Sequence, residues 1–171
     1  HQRGVTPRDL RPSNIVVPDR EGSGTAGELP AVKVLDFGLA RITDSDVAAP
    51  TLVTEIGTLR GTIPYMSPEQ TRGNPGAVDV RSDVYALGIV LYEALTGVRP
   101  YDTESSSLLD AIRIVCEQPP APLRRAWKGP RAPDADLQTI VGKALEKEPD
   151  RRYASAAALA EDLQLYLESR P

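Results

Sequence analysis

The sequence predicts a mainly α domain that opens on a small antiparallel β element. Two short runs, Ile15-Val16-Val17 and Ala31-Val32-Lys33-Val34-Leu35, come first, and their β-branched composition and length suit strands. From Arg81 onward the pattern turns helical. Between 84 and 95 it reads Val-Tyr-Ala-Leu-Gly-Ile-Val-Leu-Tyr-Glu-Ala-Leu, apolar on nearly every side, as a helix at the centre of a core is. Strands ahead of helices, rather than alternating with them, argue against a parallel α/β sheet.

Taken in order, the segment from Pro18 to Pro30 is rich in Gly, Asp and Glu and reads as the connection of a β-hairpin. Residues 39–62 have no sustained period and read as a long surface loop, a kind of segment that is usually functional or disordered. Ser82 or Asp83 is placed to cap the apolar helix, which ends at Gly97 with Pro100 beyond. Further helices are expected at about 105–116, 134–146 and 155–168. The last has Ser155 as N-cap and Leu159, Leu163, Tyr166 and Leu167 as its apolar stripe. The Pro-rich stretch 118–133 reads as a linker between helices of one domain.

The chain has 171 residues, enough for one domain with a buried core. Its composition, 40% hydrophobic and 26% charged, is that of a globular protein and excludes a disordered one. A formal net charge of −4 argues against nucleic acid as a partner. The basic pairs Arg124-Arg125 and Arg151-Arg152 read as solvated surface or structural ion pairs. The single cysteine, Cys116, excludes an internal disulfide and a cysteine-rich zinc site. The single histidine, His1, excludes a histidine-based metal centre and a Ser-His-Asp triad. No apolar run approaches the ~20 residues that span a bilayer, so no membrane contact is expected of this segment. Its N-terminus lacks the features of a signal peptide and reads as an internal cut, in a domain expected to be cytoplasmic.

Five ordered motifs carry the chemistry. Arg8-Asp9-Leu10-Arg11-Pro12-Ser13-Asn14 offers a carboxylate and, five residues on, an amide oxygen. Leu35-Asp36-Phe37-Gly38 ends the second strand. Gly61-Thr62-Ile63-Pro64-Tyr65-Met66-Ser67-Pro68-Glu69 closes the long loop. Asp83 opens the apolar helix, and Arg152 follows Pro149. Together they resemble the large, C-terminal lobe of eukaryotic-type Ser/Thr protein kinases, and the resemblance covers essentially the whole chain. Phrases such as Tyr-Met-Ser-Pro-Glu-Gln and Arg-Tyr-Ala-Ser-Ala are similar to the bacterial branch.

The resemblance implies a catalytic loop at about 7–14, an activation segment at 36–69 and a helical subdomain at 81–168. The cofactors it implies are ATP and Mg2+, and the partners are a protein substrate and a small lobe in cis. Asp9 is then the residue that accepts the substrate hydroxyl's proton. Asn14 and Asp36 are the magnesium ligands, with Phe37 and Gly38 completing the second motif. Arg11 is expected at the transferring phosphate, and Thr62 near Asp9 in the substrate site. Glu69 is expected to pair with Arg152 in the interior, and Asp83 to bond the backbone of the catalytic loop. Arg8 is expected to receive a phosphorylated residue of the activation segment. The candidates are Thr51, Thr54 and Thr58, with Thr54 preferred.

The sequence departs from the family pattern in places. Asp36 lies 22 positions after Asn14, a longer gap than usual, which the 18–30 loop absorbs. Ser67 stands where an alanine is common, a small-for-small change. Pro7 replaces a histidine, removing a side-chain donor and a backbone N–H. Arg11 replaces a lysine, keeping the charge but changing its shape. No glycine-rich loop or small-lobe lysine lies within the 171 residues. The isolated chain is therefore expected to be inactive, because positioning supplies most of the rate in this chemistry. It is also expected to expose apolar surface around 15–17 and 31–38 and to be marginally soluble. The alternatives are a pseudokinase or truncated remnant that serves as a docking module, and, more distantly, a plain helical scaffold.

Overall fold

The computed structural model describes residues 10–17, 32–35, 61–73, 75–104 and 106–169. A two-stranded antiparallel sheet comes first, with β1 at Ile15–Val16 and β2 at Lys33–Val34. Ile15 pairs with Val34 and Val16 with Lys33. Six α-helices lie wholly among the described residues: α1 (Pro68–Thr71), α2 (Val80–Thr96), α3 (Leu108–Glu117), α4 (Leu123–Ala126), α5 (Ala135–Ala144) and α6 (Ala156–Glu168). Short 3₁₀ turns at Pro12–Asn14, Ile63–Tyr65, Pro75–Ala77 and Pro149–Arg151 link them. The architecture is the mainly α one with a small β element that the residue pattern predicts.

Helix α2 is the axle. Val84, Tyr85 and Ile89 are completely buried and Tyr92 nearly so. Around Tyr85, Ile89 and Tyr92 gather Tyr101, Leu123, Val141 and Leu145. Val84 joins a second cluster with Ile140, Ala144, Tyr153 and Leu159. Helix α5 comes so close that a Cβ added at Gly88 would sit 3.0 Å from the Ala144 Cβ and 3.0 Å from Leu145 Cδ2. Gly97 ends α2 with a φ of 74°, its N–H bonded to the carbonyl of Glu93, the left-handed cap that glycine adopts without strain.

Several boundaries differ from expectation, each for a local reason. Helix α2 begins at Val80 and is capped by Asp79, whose carboxylate accepts the Arg81 N–H at 2.8 Å. Ser82 cannot be the cap, because its hydroxyl is given to Glu69 at 2.6 Å; Asp83 lies in the buried first turn. Helix α3 starts at Leu108, after Ser107, rather than near 105. The Pro-rich linker contains α4, whose Leu123 is fully buried. In α6, Leu159 is buried and Leu163 and Tyr166 pack against the core, while Leu167 is 64% exposed. Of the loop expected at 39–62, only Gly61 and Thr62 fall in the described residues; both are helical, and Thr62 is buried. The hairpin connection at 18–30 lies outside them.

The sheet presents the opposite character. Val16, Val17, Val32 and Leu35 are 41%, 57%, 55% and 49% exposed. Four large apolar side chains thus stand in solvent on a ribbon of two short strands, as expected for the surface near 15–17 and 31–38. No helix among the described residues is long and apolar enough to cross a membrane.

Candidate functional site

Much of the site geometry is built around Glu69. Helix α1 holds it in place and begins at a capping box: Ser67 Oγ accepts the Gln70 N–H at 3.4 Å, and Gln70 Oε1 accepts the Ser67 N–H at 2.9 Å. Ser67 therefore does more than replace a small residue, and the Ser-x-x-Gln spacing of 67–70 is its signature. One turn in, Glu69 is 5% exposed.

Its partner is Arg152, 83 positions later. Nη1 donates to Glu69 Oε1 at 2.7 Å and Nη2 to Oε2 at 2.8 Å, the fork geometry in which guanidinium and carboxylate match best. Nη1 also reaches the Arg81 carbonyl at 3.1 Å, Nη2 that of Lys147 at 2.8 Å, and Nε that of Glu146 at 2.7 Å. Every N–H of the guanidinium is used, and its Cζ lies 4.9 Å from the centroid of the Tyr85 ring. Burial pushes the Glu69 carboxyl up, but hydrogen bonds from Arg152 and Ser82 outweigh it and hold the group below the ordinary carboxylate range. The end of the loop, the start of α2 and the segment before α6 are thereby tied at one point.

Asp83 is 4% exposed. Burial, helped by the negative charge of Asp79, pushes its carboxyl up to about 7. Arg11 Nη1 reaches Thr62 Oγ1 at 3.4 Å, which links the segment after Asp9 to the motif that closes the loop. Asn14 is buried, and its carbonyl accepts the N–H of Leu35 at 2.7 Å. The residue before Asp36 is thus fastened to Asn14. Asp9, Arg8, Asp36, Phe37, Gly38, Thr51, Thr54 and Thr58 lie outside the described residues, as does Pro7.

Two contacts were not anticipated from the motifs. Tyr65 donates to Glu93 Oε2 on α2 at 2.7 Å; burial and this bond push its hydroxyl up to about 12. Lys147, in a run of charges that looks solvated, sends its ammonium inward to Tyr85, Tyr101 and the carbonyl of Val115. The described residues contain no cluster of His, Cys, Asp and Glu that could hold a metal.

A helical lobe with a buried Glu–Arg tie beneath a Thr-x-x-Tyr-x-Ser-Pro-Glu segment is the setting of a phosphotransferase of the protein kinase class. The chain belongs to the protein kinase family, whose domain matches residues 1–163. It is 43% identical over 168 residues to the serine/threonine-protein kinase pkn3 of Myxococcus xanthus, covering 96% of this chain and 28% of that protein. With the serine/threonine-protein kinase PknB of Mycobacterium tuberculosis the identity is 44% over 164 residues, 95% of this chain and 23% of the relative. With Pkn1 of Myxococcus xanthus it is 40% over 169 residues, 98% and 22%. The chain thus spans about a quarter of the length of the curated relatives it matches.

Proposed function

We propose that the protein carrying this chain phosphorylates Ser or Thr of a protein substrate from ATP, and that this chain is its substrate-binding large lobe. Family membership makes it a Ser/Thr kinase by descent. The observation that supports retained activity is the Glu69–Arg152 tie, with the Arg11–Thr62 contact holding the catalytic-loop segment against the closing motif.

In this reading Asp9 accepts the proton of the attacking hydroxyl, and Arg11 steadies negative charge on the moving phosphoryl group. Thr62, held by Arg11, borders the bound Ser or Thr. Asn14 and Asp36 suit magnesium, since an amide and a carboxylate oxygen are hard ligands. The Leu35–Asn14 backbone bond of 2.7 Å brings their stretches of chain side by side. Bound ATP and magnesium supply the transferable phosphoryl group and neutralise its charge. Arg8 and Thr54 form the regulatory pair, phosphothreonine to guanidinium.

The test is phosphate transfer by the full-length protein, with Asp9→Asn as control. Transfer that vanishes in the control is expected; a signal no higher than the control would favour the pseudokinase. The 171-residue chain alone is expected to show no transfer, because it holds no loop to cover the phosphates. Phosphopeptide mapping of the active protein is expected to find Thr54, and sites elsewhere only would refute that pairing.

A further inference from the structure

Helix α3 ends in a way its own sequence cannot complete. Its last turn contains no basic residue, and the chain continues Gln118-Pro119-Pro120. In a continuing helix the Val115 carbonyl would accept from residue 119 and that of Cys116 from residue 120. Both are prolines, which have no N–H. The Gln118 N–H is taken by Ile114. An orphan carbonyl at the negative end of a helix calls for a donor, best a cationic one. Val115 is completely buried, so that donor has to come from within the fold.

It comes from the segment after α5. The Lys147 ammonium donates to the Val115 carbonyl at 2.5 Å, to Tyr101 Oη at 2.8 Å and to Tyr85 Oη at 3.3 Å. These use all three of its N–H groups. The nitrogen lies 4.1 Å from the Tyr101 ring centroid and 5.7 Å from that of Tyr85. Among the described residues no carboxylate pairs with it. The groups that face it are Tyr85 on α2, Tyr101 before α3, Cys116 on α3, Arg72 after α1, and Arg152. Its own carbonyl accepts from Arg152 Nη2 at 2.8 Å.

We infer that Lys147 is a positioning residue, the C-terminal cap of α3 supplied from across the fold, and that it couples this helix to the Glu69–Arg152 tie. The consequence lies on the substrate side. Helix α3 packs on α1 and on the 63–65 turn, and Cys116 Sγ is 3.2 Å from Thr71 Oγ1. The segment bearing Thr62 and Glu69 therefore rests against a helix whose end is held by Lys147. The link to substrate rests on the kinase reading above; the cap itself does not.

The experiment is hydrogen exchange by mass spectrometry on the full-length protein, comparing wild type with Lys147→Met and Lys147→Arg. Lys147→Met is expected to speed exchange in the last turn of α3, residues 115–118, on the order of fivefold to tenfold, and to leave α6 within about twofold. Lys147→Arg, which keeps a cation and donors, is expected to recover most of the protection. Unchanged exchange in α3, or acceleration spread equally over all helices, would overturn the inference. Should Lys147→Met fail to fold, titration of the lysine ε-carbons by NMR in the wild type decides. A Lys147 signal titrating near 8 supports the cap, and one titrating at the ordinary lysine value of roughly 10.4 refutes it. Neither readout needs turnover, so a catalytically silent protein would count against the kinase reading alone. If both hold, the KM for a protein substrate is expected to rise in Lys147→Met more than kcat falls.

Discussion

Two cations five positions apart in the segment between α5 and α6 approach the same ring, and they are stabilised by opposite means. Arg152 is 4.9 Å and Lys147 5.7 Å from the centroid of Tyr85. Arg152 meets a carboxylate in a fork, with every remaining donor on a carbonyl. Among the described residues Lys147 meets neutral oxygens and aromatic rings and no carboxylate. A guanidinium is weakly hydrated and holds its proton at any ordinary pH, whereas an ammonium is strongly hydrated and yields its proton when buried. Burial accordingly lowers the Lys147 ammonium to about 8. The first cation is a fixed tie. The second responds to pH.

The largest expected effect breaks the tie. Arg152→Met leaves the Glu69 charge buried without its partner and is expected to cost about 3–5 kcal/mol in urea unfolding. Combining it with Glu69→Leu should recover a good part of that loss, since the apolar pair no longer carries the desolvation penalty. A double variant as unstable as the single one would mean that Arg152 acts mainly through the carbonyls of Arg81, Glu146 and Lys147.

Lys147→Met comes next, at about 1–3 kcal/mol, because it strands the Val115 carbonyl rather than a charge and leaves the Tyr85 and Tyr101 hydroxyls only the 3.1 Å bond between them. A cost equal to that of Arg152→Met would erase the distinction drawn here.

The pH dependence has the same sign at both sites and separates them by its window. Glu69 titrates lower in the folded state than in the unfolded one. Its contribution is present above roughly pH 4.3 and is lost as the pH falls through the folded value. Lys147 also titrates lower when folded, at about 8 against roughly 10.4 in the unfolded chain. Between those values the unfolded chain holds more protons, so the lysine makes stability rise with pH. Above about 10 the trend opposes itself, since Tyr85 and Tyr101 are held neutral in the fold, Tyr101 up to about 12. Thermal unfolding of wild type minus Lys147→Met across pH 7–10 is expected to show this rise, and a flat difference would contradict it.

The smallest effect is the control. Arg113 and Glu117 pair at 3.0 Å on α3, but their side chains are 75% and 64% exposed. Arg113→Ala is expected to leave the urea unfolding midpoint indistinguishable from that of the wild type.

What could be read in advance follows the same division between local and distant. Helices α3, α5 and α6 were readable because Ser107, Asp134 and Ser155 supply caps ahead of periodic apolar residues. The start of α2 was misplaced because Ser82 and Asp83 look like caps but serve the interior, leaving Asp79 to the helix end. The chemistry of Glu69 and Arg152 was visible because each sits in a distinctive string of residues. Tyr65–Glu93 and Lys147–Val115 were not, since nothing near either lysine or tyrosine names a partner 28 or 32 positions away. The one local sign was Pro119-Pro120, which announces orphan carbonyls without saying what satisfies them. Asp9 and Asp36 stay legible from their motifs alone, outside the described residues.

The length of the Glu69–Arg152 tie also sets a clock for biogenesis. Glu69 leaves the ribosome 83 residues before the cation that neutralises it, an interval of roughly 4–17 s at ordinary elongation rates. During that wait α2 can form, but the carboxylate beside it cannot be buried without penalty, so the nascent lobe stays open to chaperones and proteases. Release from that state depends on one codon near the end of the domain, and a message truncated just before it yields a chain whose interior has no counter-charge.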